Sequence, residues 1–418
     1  MATTSVLRLT NGVVLAVWVV ASSAAFSRAA DWCHWRGPHR NGLSDETGWV
    51  DTLPEKEPPI AWTASVGTGF SSLGVCEGRL FTMGNEDDAD RVSCLDATTG
   101  KRLWSHRYEC PLDDKLFEGG PTATPTVDED YVYTLSRRGH LFCFNAATGA
   151  IRWSKNIQEE TGAPAPGWGF SGSPLVHGEL LVLTVGEAGT AVNKASGKLV
   201  WTTAGKAAGY ASPVLIARDG RTYALIPSGR YFHAVDIETG REWWRHRWLT
   251  RLGCNAADPL VMGDRVFISS GYNRGAALLK LSDTEPTVVW SNKEMRNQFS
   301  SSVLIAGFLY GIDGDTARSR TLKCMALETG DVKWTEESIG PGSLTAAGGK
   351  LIILSERGEL IIAEASPSGF QALSRAVVLS ERCWTVPVLA NGMVYCRGAE
   401  GNLVCVDLRP RKEDVDKP

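Results

Sequence analysis

A short unit recurs along the chain at intervals of roughly 40–50 residues, which is the mark of stacked supersecondary units. Its first clear copy is Cys94-Leu95-Asp96-Ala97-Thr98-Thr99-Gly100-Lys101-Arg102-Leu103-Trp104. Equivalent stretches lie at 143–153, 193–201, 236–243 and 324–334. In the first four of these five, an apolar strand runs into Asp/Asn followed by Thr or Ser and Gly; the copy at 324–334 keeps Thr-Gly with Ala326 in the Asp/Asn place. The Asp or Asn side chain can bond nearby backbone and Gly accepts positive φ, so the unit turns as a hairpin. A second strand follows and ends in Trp, a large ring suited to packing between neighbouring sheets.

Units open on Ser/Pro-rich entries at Ser71, Thr124, Ser173, Ser212, Asp258, Ser301, Ser343 and Val386, which makes eight. The fifth and seventh are degenerate: Leu281-Ser282-Asp283 lacks the Thr-Gly turn, and the seventh lacks its Trp. The eighth stops at Leu408, one strand short, while Ile60-Ala61-Trp62-Thr63-Ala64 reads as a last strand with nothing before it. A ring in which the N-terminal strand completes the C-terminal sheet explains both fragments and removes the exposed edges. The expected fold is all-β: an eight-bladed β-propeller of four-stranded antiparallel blades, closed by that strand. Seven blades is the alternative. The 44 glycines suit a chain of many short strands and turns.

The organisation expected is a signal peptide over 1–29, an N-terminal extension over 30–59, the propeller over 60–408 and a charged tail over 409–418. Arg8, the apolar run Val13 to Ala25 and Ser27-Arg28-Ala29 have the layout of an export leader with a small-x-small cleavage site. A short membrane anchor is the other reading, but the run falls short of the ~20 residues that span a bilayer. Asp31-Trp32 before Cys33 does not suit lipid attachment, so the mature chain is expected in the periplasm or secreted, with no transmembrane segment. Trp32, Trp35 and Trp49 in the extension call for burial against the body. The mildly acidic balance, −4, argues against nucleic acid.

Cys94, Cys143, Cys324 and Cys405 share one repeat position and read as buried thiols, and Cys76 and Cys396 also sit in strand-like runs. Cys33, Cys110, Cys254 and Cys383 lie outside the pattern and are the candidates for disulfides, with connectivity left open.

The Asp-Ala-x-Thr-Gly-Lys-x-x-Trp turn resembles the repeat of pyrroloquinoline quinone (PQQ)-type β-propellers, over residues 60–408. Trp35-Arg36-Gly37-Pro38-His39-Arg40-Asn41-Gly42 is similar to a segment of exported PQQ-like propellers. The resemblance implies either a quinoprotein dehydrogenase or a quinone-free scaffold, like the propeller lipoprotein of the outer-membrane β-barrel assembly machinery. The dehydrogenases carry an adjacent Cys-Cys pair, a calcium set and often Cys-x-x-Cys-His. No two cysteines are adjacent here, and no such haem motif occurs. No cofactor is therefore expected, with PQQ and calcium as the alternative, and no metal site is expected.

Residues just before each innermost strand should ring one mouth of the central channel. They recur as Gly69-Phe70-Ser71, Gly169-Phe170-Ser171, Gly209-Tyr210-Ala211 and Gln298-Phe299-Ser300, with Asp258 and Trp384 at corresponding places and Trp168 and Arg230 nearby. Aromatics and hydroxyls around a concavity suit a flat ligand or a peptide side chain. Plugging of the channel, or packing between blades, by Phe70, Phe170, Tyr210 and Phe299 is the competing account. The expected activity is binding, by a monomer, of protein, peptide or glycan at this mouth, with a PQQ-dependent alcohol or sugar oxidoreductase as the alternative.

Overall fold

The computed structural model describes residues 30–114, 117–203, 205–206, 208–314 and 320–410. The leader over 1–29 and the tail beyond 410 lie outside them. Eight sheets follow one another along the chain, and the innermost strands of neighbouring sheets lie side by side. Blades 1 to 7 span 74–109, 126–156, 175–202, 214–247, 260–292, 303–336 and 342–377. Blade 8 takes three strands from 388–407 and its fourth from Ile60–Ser65. That strand runs antiparallel to Asn402–Asp407, with Trp62 opposite Cys405. The ring is an eight-bladed β-propeller closed by its N-terminal strand.

Turn and tryptophan prove to be two halves of one joint. The indole at the end of one blade reaches the turn of the next. Trp62 Nε1 donates to Ala97 O at 3.0 Å, Trp104 to Ala146 O at 2.9 Å, Trp153 to Lys194 O at 3.0 Å and Trp201 to Ile237 O at 2.8 Å. Over each ring sits a turn glycine, Gly100, Gly149, Gly197 or Gly240, with φ of 69–72°. A Cβ there would come within 2.5–2.8 Å of the indole. Glycine is thus required twice, for left-handed backbone and for close approach. The Asp or Asn pins the same turn: Asp96 Oδ1 accepts from the Thr98 and Thr99 N–H groups, and Asn145 and Asn193 accept equivalent bonds.

The degenerate units are patched. Blade 4 uses both of its tryptophans: Trp244 stands opposite Ala234 and is buried, while Trp243 Nε1 donates to Asp283 O across the turn that lacks Thr-Gly. Blade 7 has no indole to offer blade 8. There the N-terminal segment steps in: Leu53 joins the core between the two blades with Ala376, Val406 and Leu408, and Trp49 packs against it. Val50 N–H donates to Leu408 O at 2.7 Å.

The same segment runs inside the ring. Trp32 makes an antiparallel bridge to Val75 of blade 1, and Val127 N–H of blade 2 donates to Cys33 O. Arg40 reaches Val176 O of blade 3, Arg36 reaches Ser302 O at the entry to blade 6, and Ser44 reaches Leu389 O of blade 8. Leu43–Ser44 pairs in parallel with the innermost strand of blade 7, making that sheet five-stranded.

Cysteine pairing differs from expectation. Cys33 bonds Cys76, at the end of the innermost strand of blade 1. Cys110, Cys254 and Cys383 are free and buried. They follow blades 1, 4 and 7, so the ring keeps them apart, whereas the inserted segment delivers Cys33 to blade 1. Cys94, Cys143, Cys324 and Cys405 are buried free thiols directly across from Trp104, Trp153, Trp334 and Trp62. Burial pushes the Cys94 thiol up to about 12.

Candidate functional site

Loops entering the innermost strands converge around a cavity of about 390 Å³. Phe70, Trp168, Tyr210, Asp258, Phe299 and Trp384 line it. Two expected residues do not. Phe170 is wholly buried in the core between blades 2 and 3. The cause is backbone pinning: Phe70 and Tyr210 N–H groups bond the connection that follows, at Pro121 O and Asn255 O, but Phe170 N–H bonds Arg137 O within blade 2. Trp168, two residues earlier, takes the wall position. Arg230 is exposed on a blade 4 hairpin and lies outside the lining.

The walls are π faces. Phe299 stacks on Trp384 with centroids 4.2 Å apart and planes 7° from parallel. Phe70 continues the stack at 5.2 Å from Trp384 and meets Phe117 at 5.7 Å. Trp168 and Tyr210 lie 5.5 Å apart at a tilt. Trp384 is held by its Nε1 donating to Glu356 Oε1 at 2.7 Å. Arg320 lies over Phe299 and Arg382 over Trp384, at 4.7 and 4.8 Å from the ring centroids. These cations are balanced by Glu356 and Glu118.

Apart from Asp258, the remaining lining is neutral. Ser171, Ser173, Ser212 and Thr385 supply hydroxyls, and Gln298 an amide. Gln298 Oε1 and Thr385 Oγ1 are buried without a hydrogen-bond partner among the described residues. Burial pushes the Cys254 thiol up to about 11, and Gln298 Nε2 donates to its sulfur at 3.4 Å. Asp258 is the one carboxylate in the described lining. Its Oδ2 accepts from Trp35 Nε1 at 2.5 Å and its Oδ1 from Ser212 N–H at 2.8 Å, while Arg36 stands 3.9 Å away. Burial pushes the Asp258 carboxyl up and the nearby Arg36 guanidinium opposes it.

Trp35, Phe117 and Tyr272 also line the cavity; the sequence marked Trp35 only for burial against the body, and Phe117 and Tyr272 not at all. Trp35 sits outside the repeat, so no periodicity places it at the channel. Its Trp-Arg-Gly-Pro neighbourhood was the only signal. Such a chamber can stack a flat or aromatic group and hydrogen-bond a neutral polar one. Among the described residues, the clustered group Asp31, Cys33 and Cys76 has metal-like spacing, but both cysteines are spent in the disulfide. No helix among the described residues is long and apolar enough to cross a membrane.

A family model described as outer membrane protein assembly factor BamB matches residues 88–336. Over 379 residues the chain is 23% identical to outer membrane protein assembly factor BamB of Yersinia pestis, covering 85% of this chain and 80% of that protein. Among solved structures it is similar to BamB of Moraxella catarrhalis, with TM-score 0.62, 16% identity, and 84% and 100% of the two chains covered. It is also similar to quinohemoprotein alcohol dehydrogenase of Comamonas testosteroni, with TM-score 0.66, 13% identity, and 91% and 81% covered. At these identities the structural likeness shows the fold.

Proposed function

Since the chain belongs to the PQQ-like propeller family described as outer membrane protein assembly factor BamB, we propose that it is an exported, non-enzymatic scaffold that binds a protein partner. On this reading residues 1–29 are a leader removed on export, 30–59 an extension, 60–408 the working propeller and 409–418 a tail, and the protein acts as a monomer in the periplasm or outside the cell. The mouth cavity is its anchor site, and an aromatic side chain of an extended peptide fills it. The observation that carries this is the chamber itself: stacked rings from several blade connections over a polar lining neutral but for Asp258. Affinity would come from ring burial and orientation from the polar groups of the lining.

The quinone alternative meets a poor donor set. Calcium over a quinone needs several converging oxygens. The one carboxylate of the described lining already accepts from Trp35 and Ser212 and faces Arg36. The residues present do not fit a calcium-bound quinone.

The test is titration with the peptide Gly-Tyr-Gly-Phe-Gly and its Ala-for-aromatic control, followed by tryptophan fluorescence. Saturable quenching by the aromatic peptide alone, lost in Trp168→Ala and in Phe299→Ala, is expected. Equal response to both peptides sinks the anchor reading. Saturable, calcium-dependent uptake of PQQ overturns the scaffold reading altogether.

A further inference from the structure

Glu46 lies in the N-terminal segment where it passes blade 8, and its side chain is sealed from solvent at 0% exposure. Its Oε1 accepts from Ala30 N–H at 2.8 Å and, closely, from Asn391 N–H. Its Oε2 makes no close hydrogen bond, the Gly392 N–H also faces the carboxylate, and no ion pair joins Glu46 to a cation among the described residues. Burial raises the Glu46 carboxyl, the Ala30, Asn391 and Gly392 N–H groups oppose the rise, and the acid Asp31 adds to it. A buried carboxylate with one oxygen lacking a close hydrogen bond and with an acidic neighbour is costly unless a cation sits on it. The group that already touches it is the backbone nitrogen of Ala30, which follows Ser27-Arg28-Ala29.

We infer that cleavage between Ala29 and Ala30 is a structural modification: it turns the Ala30 nitrogen into an ammonium that pairs with Glu46 and latches the N-terminal segment into the ring. The step is hydrolysis by a leader peptidase. One water is added, the Ala29–Ala30 amide breaks, the carboxylate leaves on Ala29 and the ammonium stays on Ala30. In the unprocessed chain the same nitrogen offers one N–H and no charge. After cleavage it offers three donors and a positive charge, enough for Oε1 and Oε2 together.

The consequences reach both ends of the fold. Ala30 and Glu46 meet at the Asn391-Gly392 turn of blade 8, and Asp31 then accepts from Glu77 N–H of blade 1. The disulfide to Cys76 follows two residues on, and Trp35, which lines the cavity, two beyond that. The latch therefore holds the segment across the junction where the ring closes, and with it part of the cavity lining. The inference rests on the leader reading of 1–29 and is independent of which ligand the cavity takes.

The experiment uses the full chain exported by a bacterial host. Intact mass of the recovered protein is expected to begin at Ala30. A variant with Gly-Ser inserted after Ala29 leaves two residues ahead of Ala30 after cleavage and moves the ammonium away. Each form is made with Glu46 and with Glu46→Gln, and melting midpoints and reductive methylation of the α-amine are measured. The insertion should lower the midpoint clearly in the Glu46 background and hardly at all in the Gln background. The Ala30 amine should be methylated about tenfold more slowly with Glu46 than with Gln, the effect of one pKa unit. If Glu46→Gln does not fold, methylation of the Ala30 and Gly-Ser forms of the Glu46 protein decides: equal rates overturn the latch. Additive midpoint losses overturn it as well. A recovered chain that begins elsewhere overturns the leader placement, and the mass shows this separately from the coupling.

Discussion

Two kinds of joint hold this ring together. Between most blades an indole of one blade is bonded to the turn of the next and covered by a glycine of that turn, as Trp201 is by Gly240. Between blades 7 and 8 no indole is available, and a separate stretch of chain fills the gap with Leu53, Trp49 and the Val50–Leu408 hydrogen bond. The repeat joint is local: both halves come from consecutive units, so it forms as each blade docks. The patched joint is remote, bringing residue 53 against residue 408. Loop-closure cost makes remote contacts late and dependent on the rest. The comparison teaches that repeats build the ring and non-repeat chain finishes it, filling the joint between blades 7 and 8 and placing Trp35 in the cavity lining.

Four changes test that contrast, from the largest effect to the smallest. Deleting Ile60–Ala64 strips blade 8 of its outer strand and its Trp62 lock, and cooperative unfolding in urea should be lost. Trp201→Ala empties a regular joint and should cost about 3–5 kcal/mol by denaturant titration. In that background Gly240→Ala should hurt less than in the native chain, since only the positive φ remains as an obstacle. Leu53→Ala should cost about 2 kcal/mol, weakening the patched joint without touching any lock. If it costs more than Trp201→Ala, the patched joint is the stronger and the contrast reverses.

The smallest effect concerns charge at a turn. The Thr99 hydroxyl, with the Thr99 and Thr98 N–H groups, holds the Asp96 carboxyl below its usual value. A depressed carboxylate contributes stability above its unfolded pKa and loses it as pH falls through the folded value. Asp96→Asn should therefore be near neutral at pH 7 and should flatten the acid limb of the stability profile. Asn145 and Asn193 already serve this role in neighbouring turns. A large loss at pH 7 would mean that the turn needs charge and not merely an acceptor.

The blade count, the closing strand and the repeat thiols were legible because each is a periodic or boundary feature. A last strand at Trp62 with no blade strands before it and a blade that stops one strand short at Leu408 have only one economical pairing. Six of the eight expected mouth residues line the cavity because the entry to each innermost strand is fixed by the repeat. Phe170 follows the competing account and packs between blades 2 and 3, its N–H bonded to Arg137 O, a partner invisible in the local sequence. Arg230 was misread because it belongs to a hairpin and not to a strand entry.

The pattern of apolar strands, Asp/Asn turns, glycines and tryptophans pointed by itself to a closed ring of blades, eight favoured over seven, since short-range chemistry repeated along the chain leaves little freedom. What only the tertiary structure decided is what that ring encloses. Trp35 beside Asp258, Cys33 bonded to Cys76 and Leu53 under Leu408 are meetings between residues 43 to 355 positions apart, made by a segment with no periodicity. Their partners depend on how a finished channel accepts an inserted chain, and nothing in the spacing of residues along a sequence encodes that.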